Sequence, residues 1–291
     1  MKVVDGKSPA LALSDHIPPH AYFVVSAVFH YLGPSFAVIL FSRIEPLGVA
    51  WLRIASAAVV FAIWRRPWRY FWTLAVAERW TTAQLGVVLA AMNSLFYLAI
   101  KVLPLSTVGA IEFLGPIVLA AIGVRSARNL AALLVAIGGV YFLTDVRIDS
   151  APLGYVFAFG NCSLFALYII LGHRLSGDGG IDRLGISMLI AAIAALPVGF
   201  SQAATAFHSP ALLAAAVGVG VSSSVIPYVT DQLAMARLPR ASFALLLSIL
   251  PATATAIGFL VLKQVPNVPE LIGISLVIVG VALHRGKDHA A

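Results

Sequence analysis

From residue 20 to residue 285 the chain is a succession of long apolar runs, broken at charges, prolines and glycines. A helix that crosses a bilayer needs about 20 such residues. In lipid every backbone N–H and C=O must be satisfied internally, which leaves helix bundles and closed barrels. The runs are continuous rather than alternating, and that selects helices. Of the 291 residues 60% are apolar and 11% charged, whereas a soluble domain carries about 25% charged residues. So few charges cannot build a water-facing surface. An ordinary soluble enzyme, a disordered chain and a nucleic-acid-binding domain are thereby excluded.

The breaks predict ten spans, at 20–42, 46–64, 83–101, 104–123, 128–145, 152–172, 183–203, 210–230, 238–262 and 267–285. The polar segment before them holds Pro9, Pro18 and Pro19. The apolar stretch that follows it is longer than a signal-peptide core and lacks a small-residue cleavage site, so it reads as a retained first span. With the N-terminus in the cytoplasm, only Arg43, Lys101, Arg147 and Lys263 fall in outer loops. Arg53 lies within a span, and every other Lys and Arg lies inside. Such an asymmetry over short loops orients the chain with both termini cytoplasmic, as in a bacterial inner-membrane protein. It also accounts for the net charge of +7 without an anionic partner. Cys162 is the single cysteine, so no disulfide forms within the chain.

Shifted by 135 residues, the fourth span falls on the ninth. Leu103-Pro104 meets Leu238-Pro239, Pro116 meets Pro251, and Ala121-Ile122-Gly123 meets Ala256-Ile257-Gly258. Gly139-Val140 meets Gly280-Val281 at a shift of 141. The expected organisation is therefore a tail (1–19), a five-helix repeat (20–145), a second repeat (152–285) and a short cytoplasmic tail (286–291). Five is odd, so the repeats are inverted, an arrangement typical of secondary transporters with a substrate site at the bilayer midplane.

Polar groups inside a membrane are expensive and are functional candidates by default. Counted along their spans, His30, Asn93, Glu112, Asn161, Ser223 and Ser248 share a band near the midplane, drawn from both halves. Tyr97, Tyr168 and Tyr228, with Phe165, are candidate aromatic walls. Glu112 reads as the only acidic residue well inside a span. A lone carboxylate in hydrocarbon must pair or protonate, so Glu112 either binds a substrate ammonium group or a proton, or forms a structural pair with Arg53 at similar depth. His30 is a titratable cavity candidate or a helix–helix hydrogen-bond donor, and the asparagines and serines could equally join helices or bond to their own backbone. Pro34, Pro116, Pro227 and Pro251 lie within spans, where they free carbonyls and suggest hinges for alternating access. Trp64, Trp68 and Trp72 suit an interfacial belt.

The run Met92-Asn93-Ser94-Leu95-Phe96-Tyr97-Leu98-Ala99-Ile100, followed by Pro104-Leu105 and Glu112-Phe113-Leu114-Gly115-Pro116, resembles the drug/metabolite transporter superfamily, and most closely its ten-span amino-acid exporters of the threonine/homoserine and aromatic types. Leu52-Arg53, Pro67-Trp68-Arg69, Gly33 with Ser35, Pro227-Tyr228 and Arg237-Leu238-Pro239 add to the likeness, which covers roughly residues 20–285. The resemblance implies an all-α inner-membrane exporter whose two inverted five-helix halves enclose a central cavity. It assigns Asn93, Tyr97, Glu112, Tyr168 and Tyr228 to that cavity. The chain departs from the pattern at Leu250, where relatives often carry an acid, and at Val38, where the threonine/homoserine type can carry a lysine. Fewer cavity charges favour a larger, more apolar substrate, hence aromatic and other neutral amino acids, with protons as a further candidate partner.

Two other classes fit less well. A carrier of phosphorylated sugars or nucleotide sugars needs several deep basic residues, and Arg53 stands alone. An integral-membrane transferase using metal–diphosphate chemistry needs clustered carboxylates. No metal-ligand cluster, phosphate-cradling glycine loop or nucleophilic triad is legible, so neither a metal nor a cofactor is expected.

Overall fold

A computed structural model describes residues 19–115, 118, 126–145, 151–177, 179–238 and 249–283. Helices occupy all ten predicted places: α1 (Pro19–Leu40), α2 (Pro46–Arg65), α3 (Val76–Val102), α4 (Leu105–Glu112), α5 (Ala127–Asp145), α6 (Pro152–Leu175), α7 (Gly180–Phe207), α8 (Pro210–Met235), α9 (Ile249–Leu262) and α10 (Val268–Leu283). Six of them, α1, α2, α3, α6, α7 and α8, are long and apolar enough to cross a membrane. No strand occurs among the described residues. Proline opens α2, α6 and α8, where its missing N–H has no helical partner to lose. Helix α10 begins with a reciprocal cap: Glu270 N–H donates to Asn267 Oδ1 (2.8 Å) and Asn267 N–H to Glu270 Oε2 (3.0 Å).

Two of the boundary differences from the sequence expectation share one reason. Helix α3 begins seven residues before 83, at Val76, and α8 continues past 230 to Met235. Hydropathy ends a span at its first charge, but a helix continues wherever its polar groups find partners. The Glu78 carboxylate accepts from Ala75 N–H (3.2 Å) and from Arg183 Nη2 (2.6 Å). Asp231 is buried at 6% exposure among other helices. Glu112 is therefore not the only acidic residue inside a span. The prolines differ in setting. Pro34 lies within α1, Pro227 follows a π-helical stretch at Val221–Val225, and Pro251 is the third residue of α9. Pro116 and Ser248 lie outside the described residues.

Lipid offers no hydrophobic drive between helices, so association rests on close backbone approach. The pair α5–α10 shows this with a reciprocal pattern. A Cβ on Gly139 would lie 2.6 Å from the Gly273 carbonyl and 2.9 Å from Val277, and a Cβ on Gly280 would lie 2.8 Å from the Ala132 carbonyl and 2.9 Å from Ala136. Adding 141 to 132, 136 and 139 gives 273, 277 and 280, so each helix touches its counterpart through the equivalent positions. Helices α2 and α7 pack similarly: Gly48 abuts the Gln202 carbonyl, Gly199 abuts Trp51, and Arg65 makes a bidentate bridge to Asp182 (2.9 and 2.7 Å) at one end. Trp64, Trp68 and Trp72 are exposed near that same end, as a membrane-interface belt requires. The largest fully buried side chains, Tyr31, Tyr97, Tyr168 and Tyr228, mark the interior around which the other helices gather.

Gly139→Ala should lower the stability of the detergent-solubilised protein by about 1–3 kcal/mol, the usual cost of overpacking, read as a fall in thermal midpoint. Gly138→Ala, whose added carbon meets nothing within 4 Å, should leave the midpoint unchanged.

Candidate functional site

The site is organised by a break in α8. Pro227 has no N–H, so the carbonyl four residues earlier, that of Ser223, loses its helical donor. The π-helical stretch just before the proline shifts the ladder further: Ile226 N–H bonds to the Val221 carbonyl, five residues back. Short π segments of this kind recur at functional sites. Arg53 of α2, 3% exposed, fills the gap. Its Nη2 donates to the Ser223 carbonyl (2.5 Å) and its Nε to Ser224 Oγ (2.7 Å), with a longer contact from Nη2 to the Tyr228 hydroxyl (3.5 Å). The guanidinium also lies 5.4 Å from the Tyr97 ring centre and 6.0 Å from that of Tyr228, within cation–π range. Nη1 meets no protein acceptor among the described residues. Ser223 thus contributes its carbonyl, while its hydroxyl bonds back to Val219. Asn93 of α3 donates to the Leu89 carbonyl (2.7 Å) and to the Tyr228 hydroxyl (3.3 Å), fixing that ring.

Glu112, at the end of α4 and 2% exposed, is held from both halves of the chain. Its Oε2 accepts from the Tyr31 hydroxyl (3.1 Å) and lies 3.6 Å from His30 Nε2, both on α1. Its Oε1 accepts from Asn161 Nδ2 (2.9 Å) on α6. Asn161 Oδ1 is buried without a partner, as is the Tyr97 hydroxyl. Arg53 and Glu112 form no ion pair with each other, so the structural pairing weighed above is absent. Instead both face one small cavity of about 10 Å³, lined also by His30, Met92, Asn93, Phe96 and Tyr228. Such a space holds about one water.

Of the sequence candidates, His30, Arg53, Asn93, Glu112 and Tyr228 therefore meet at one cavity. Tyr97 and Asn161 join it through Arg53 and Glu112. Tyr168, two helical turns along α6 from Asn161, does not line the cavity itself but lies with its ring 5.5 Å from that of Tyr228, while its hydroxyl donates to Asp231 Oδ2 (3.3 Å). Sequence reading missed Tyr31 and Asp231. Tyr31 is the neighbour of His30, and Asp231 sits one turn beyond Tyr228 on the same face of α8. The spacing was visible, but an acid at a predicted span edge reads as the boundary itself.

These positions can be set beside known proteins. The family model for EamA-like transporters matches residues 152–285. The threonine/homoserine exporter RhtA of Escherichia coli (strain K12) is 30% identical over 249 residues, which cover 84% of each chain. RhtA of Salmonella typhimurium (strain LT2) matches to the same extent. The chain belongs to the EamA-like transporter family, within the drug/metabolite transporter superfamily. A crystal structure covering 91% of this chain and 95% of its own superposes with a TM-score of 0.58 at 16% identity, so the two share a fold. As a member of this family the chain is a multi-pass membrane transporter.

Arg53→Lys keeps the charge and loses the planar fork that reaches Ser224 and Ser223 together. It should lower the transport rate at least about tenfold, equivalent to about 1.4 kcal/mol, while size-exclusion behaviour in detergent stays that of the parent.

Proposed function

We propose that the protein exports neutral amino acids, binding the zwitterion between Arg53 and Glu112. The observation that carries this reading is the cavity they share: one guanidinium and one carboxyl line it without pairing with each other, and the carboxyl is flanked by an unpartnered acceptor, Asn161 Oδ1. A substrate carboxylate suits the first and a substrate ammonium group the second. Hydrogen bonds to ionised groups are worth about 1.5–3 kcal/mol each, and the two ends together fix the orientation of the molecule. Threonine and homoserine, named for the relatives, are the foremost substrates. A second reading, aromatic and other apolar amino acids, is favoured by the wall of Met92, Phe96 and Tyr228. A phosphorylated sugar fits worse, because Arg53 is the one cation lining this cavity.

At about 10 Å³ the cavity is too small for any amino acid. Transport requires the centre to widen toward one face and then the other. We assign that motion to two inverted five-helix halves, 20–145 and 152–285, with Pro34 within α1 and Pro227 beside the π-helical stretch of α8 as hinges and both termini in the cytoplasm. The reciprocal packing of α5 on α10 supports the duplication. The basic residues of the even-numbered loops support the orientation.

Counterflow in proteoliposomes across a panel of threonine, homoserine, leucine, phenylalanine and tryptophan tests the reading. Uptake of at least one is expected, with Glu112→Gln strongly reducing the rate while the thermal midpoint stays close to the parent's. Unchanged transport in Glu112→Gln would make Glu112 architectural.

A further inference from the structure

The described interior holds a second carboxyl group that the zwitterion site does not use. Asp231 of α8 is 6% exposed. Its Oδ1 accepts from Ser26 Oγ of α1, and its Oδ2 accepts from the Tyr168 hydroxyl of α6 at 3.3 Å. Both donors are neutral. Among the described residues no Lys or Arg pairs with it. A buried carboxylate without a cation is costly in a membrane interior, and hydroxyl donors alone offset little of that cost. A proton or a small cation removes it.

The surroundings favour the proton. Helix α8 packs on α1, α2, α6 and α7. On α2 the charged group beside α8 is Arg53, engaged with Ser223, Ser224 and Tyr228. On α1 the titratable group in electrostatic reach of Asp231 is His30, four residues beyond Ser26 and so one turn, ~6 Å, along the same face. On α6 it is Tyr168, stacked between Phe165 and Tyr228. On α7 the charged residues Asp182 and Arg183 are engaged with Arg65 and Glu78. On α8 itself Arg237, beyond the helix end, lies over the Tyr22 ring. His30 is thus the one ionisable base between two acids: it lies 3.6 Å from Glu112 on one side and within reach of Asp231 on the other. The carbonyl of Pro227 beside Ser26 Oγ is already shared with the Thr230 hydroxyl, so few oxygens are left to encircle a metal cation.

We propose that Asp231 is a proton-binding site separate from the substrate site, linked to it through His30, and that it couples export to proton entry. In each cycle one O–H bond forms on the Asp231 carboxyl and later breaks. The proton is taken from water reached on one side of the membrane and returned to water on the other. Ser26 belongs to the first half of the chain and Asp231 and Tyr168 to the second, so a relative movement of the halves strips the Ser26 hydroxyl from the carboxyl and changes its hold on the proton.

The proposal rests on the amino-acid reading only for the substrate that moves in exchange, and two measurements keep the two ideas apart. The first needs no substrate. Infrared difference spectra of the purified protein between low and high pH should contain a carboxyl C=O band that Asp231→Asn abolishes and Glu112→Gln retains. The same band in both parent and Asp231→Asn would overturn the proposal. The second is transport. Asp231→Asn should keep counterflow at equal pH on the two sides and lose accumulation driven by a pH gradient, with Asp231→Glu restoring it. Gradient-driven accumulation that survives in Asp231→Asn would overturn the proposal, and so would loss of counterflow in a monodisperse Asp231→Glu. A parent protein that moves no amino acid would sink the substrate reading and leave the infrared result to decide Asp231.

Discussion

A guanidinium can remain among apolar helices only if its N–H groups meet acceptors, and helices normally use all their carbonyls internally. Here the missing N–H of Pro227 leaves the Ser223 carbonyl open, and Arg53 occupies it. The other pieces follow. Held by α8, Arg53 is kept from Glu112, and its charge supports the faces of Tyr97 and Tyr228. Tyr228 in turn orders Asn93. The proline is thus more than a kink: it is the donor deficit that allows a cation to be stored among apolar helices. A buried pair of opposite charges in direct contact would be self-satisfied and inert toward substrate. Charges held apart by separate partners stay available to one.

The same logic explains why Glu112 is held by a hydroxyl and an amide rather than by a cation. Tyr31 and Asn161 stabilise negative charge without neutralising it. On the proposed reading, an incoming ammonium group then replaces weak contacts at little cost. Were Glu112 bonded to Arg53, the substrate would have to break a strong buried pair first, and removing one partner of such a pair costs about 3–5 kcal/mol.

Much of this was legible in the chain. Ten apolar runs and the Gly139/Gly280 correspondence anticipated the helices and the reciprocal α5–α10 contact. Arg53, Asn93, Glu112 and Asn161 stood out because each is a polar residue inside an apolar run. What escaped notice did so for definite reasons. Tyr31 is aromatic and disappears into hydropathy. Asp231 sits beside Gln232 at the point where a span appears to stop, and only the packing of α8 against α1 and α6 reveals that it is buried. Ser223 was chosen for a hydroxyl that bonds to its own helix. Its relevant atom is the carbonyl, which the four-residue spacing to Pro227 could have disclosed.

The cavities also say something about the path. Besides the small central space there is one of about 320 Å³ at the turns joining α3 to α4 and α9 to α10, lined by Lys101, Pro104, Ser106, Gln264 and Glu270. It has room for an amino acid where the centre has none. Helix α4 borders both: Ser106 faces the outer space, and Glu112 closes the inner one. Six residues at 1.5 Å each separate them by ~9 Å, less than two turns of helix. At the opposite end Arg65–Asp182 and Glu78–Arg183 tie α2 and α3 to α7. The Arg65 bridge finishes a helix pair packed through Gly48 and Gly199. The barrier a substrate meets from the larger space is therefore thin and local. It consists of the first turns of α4 and the facing stretch of α9, where Gly109 meets Ala254 and Gln264 Oε1 accepts from Leu105 N–H. Those are the contacts that must part for the central charges to be reached from that side.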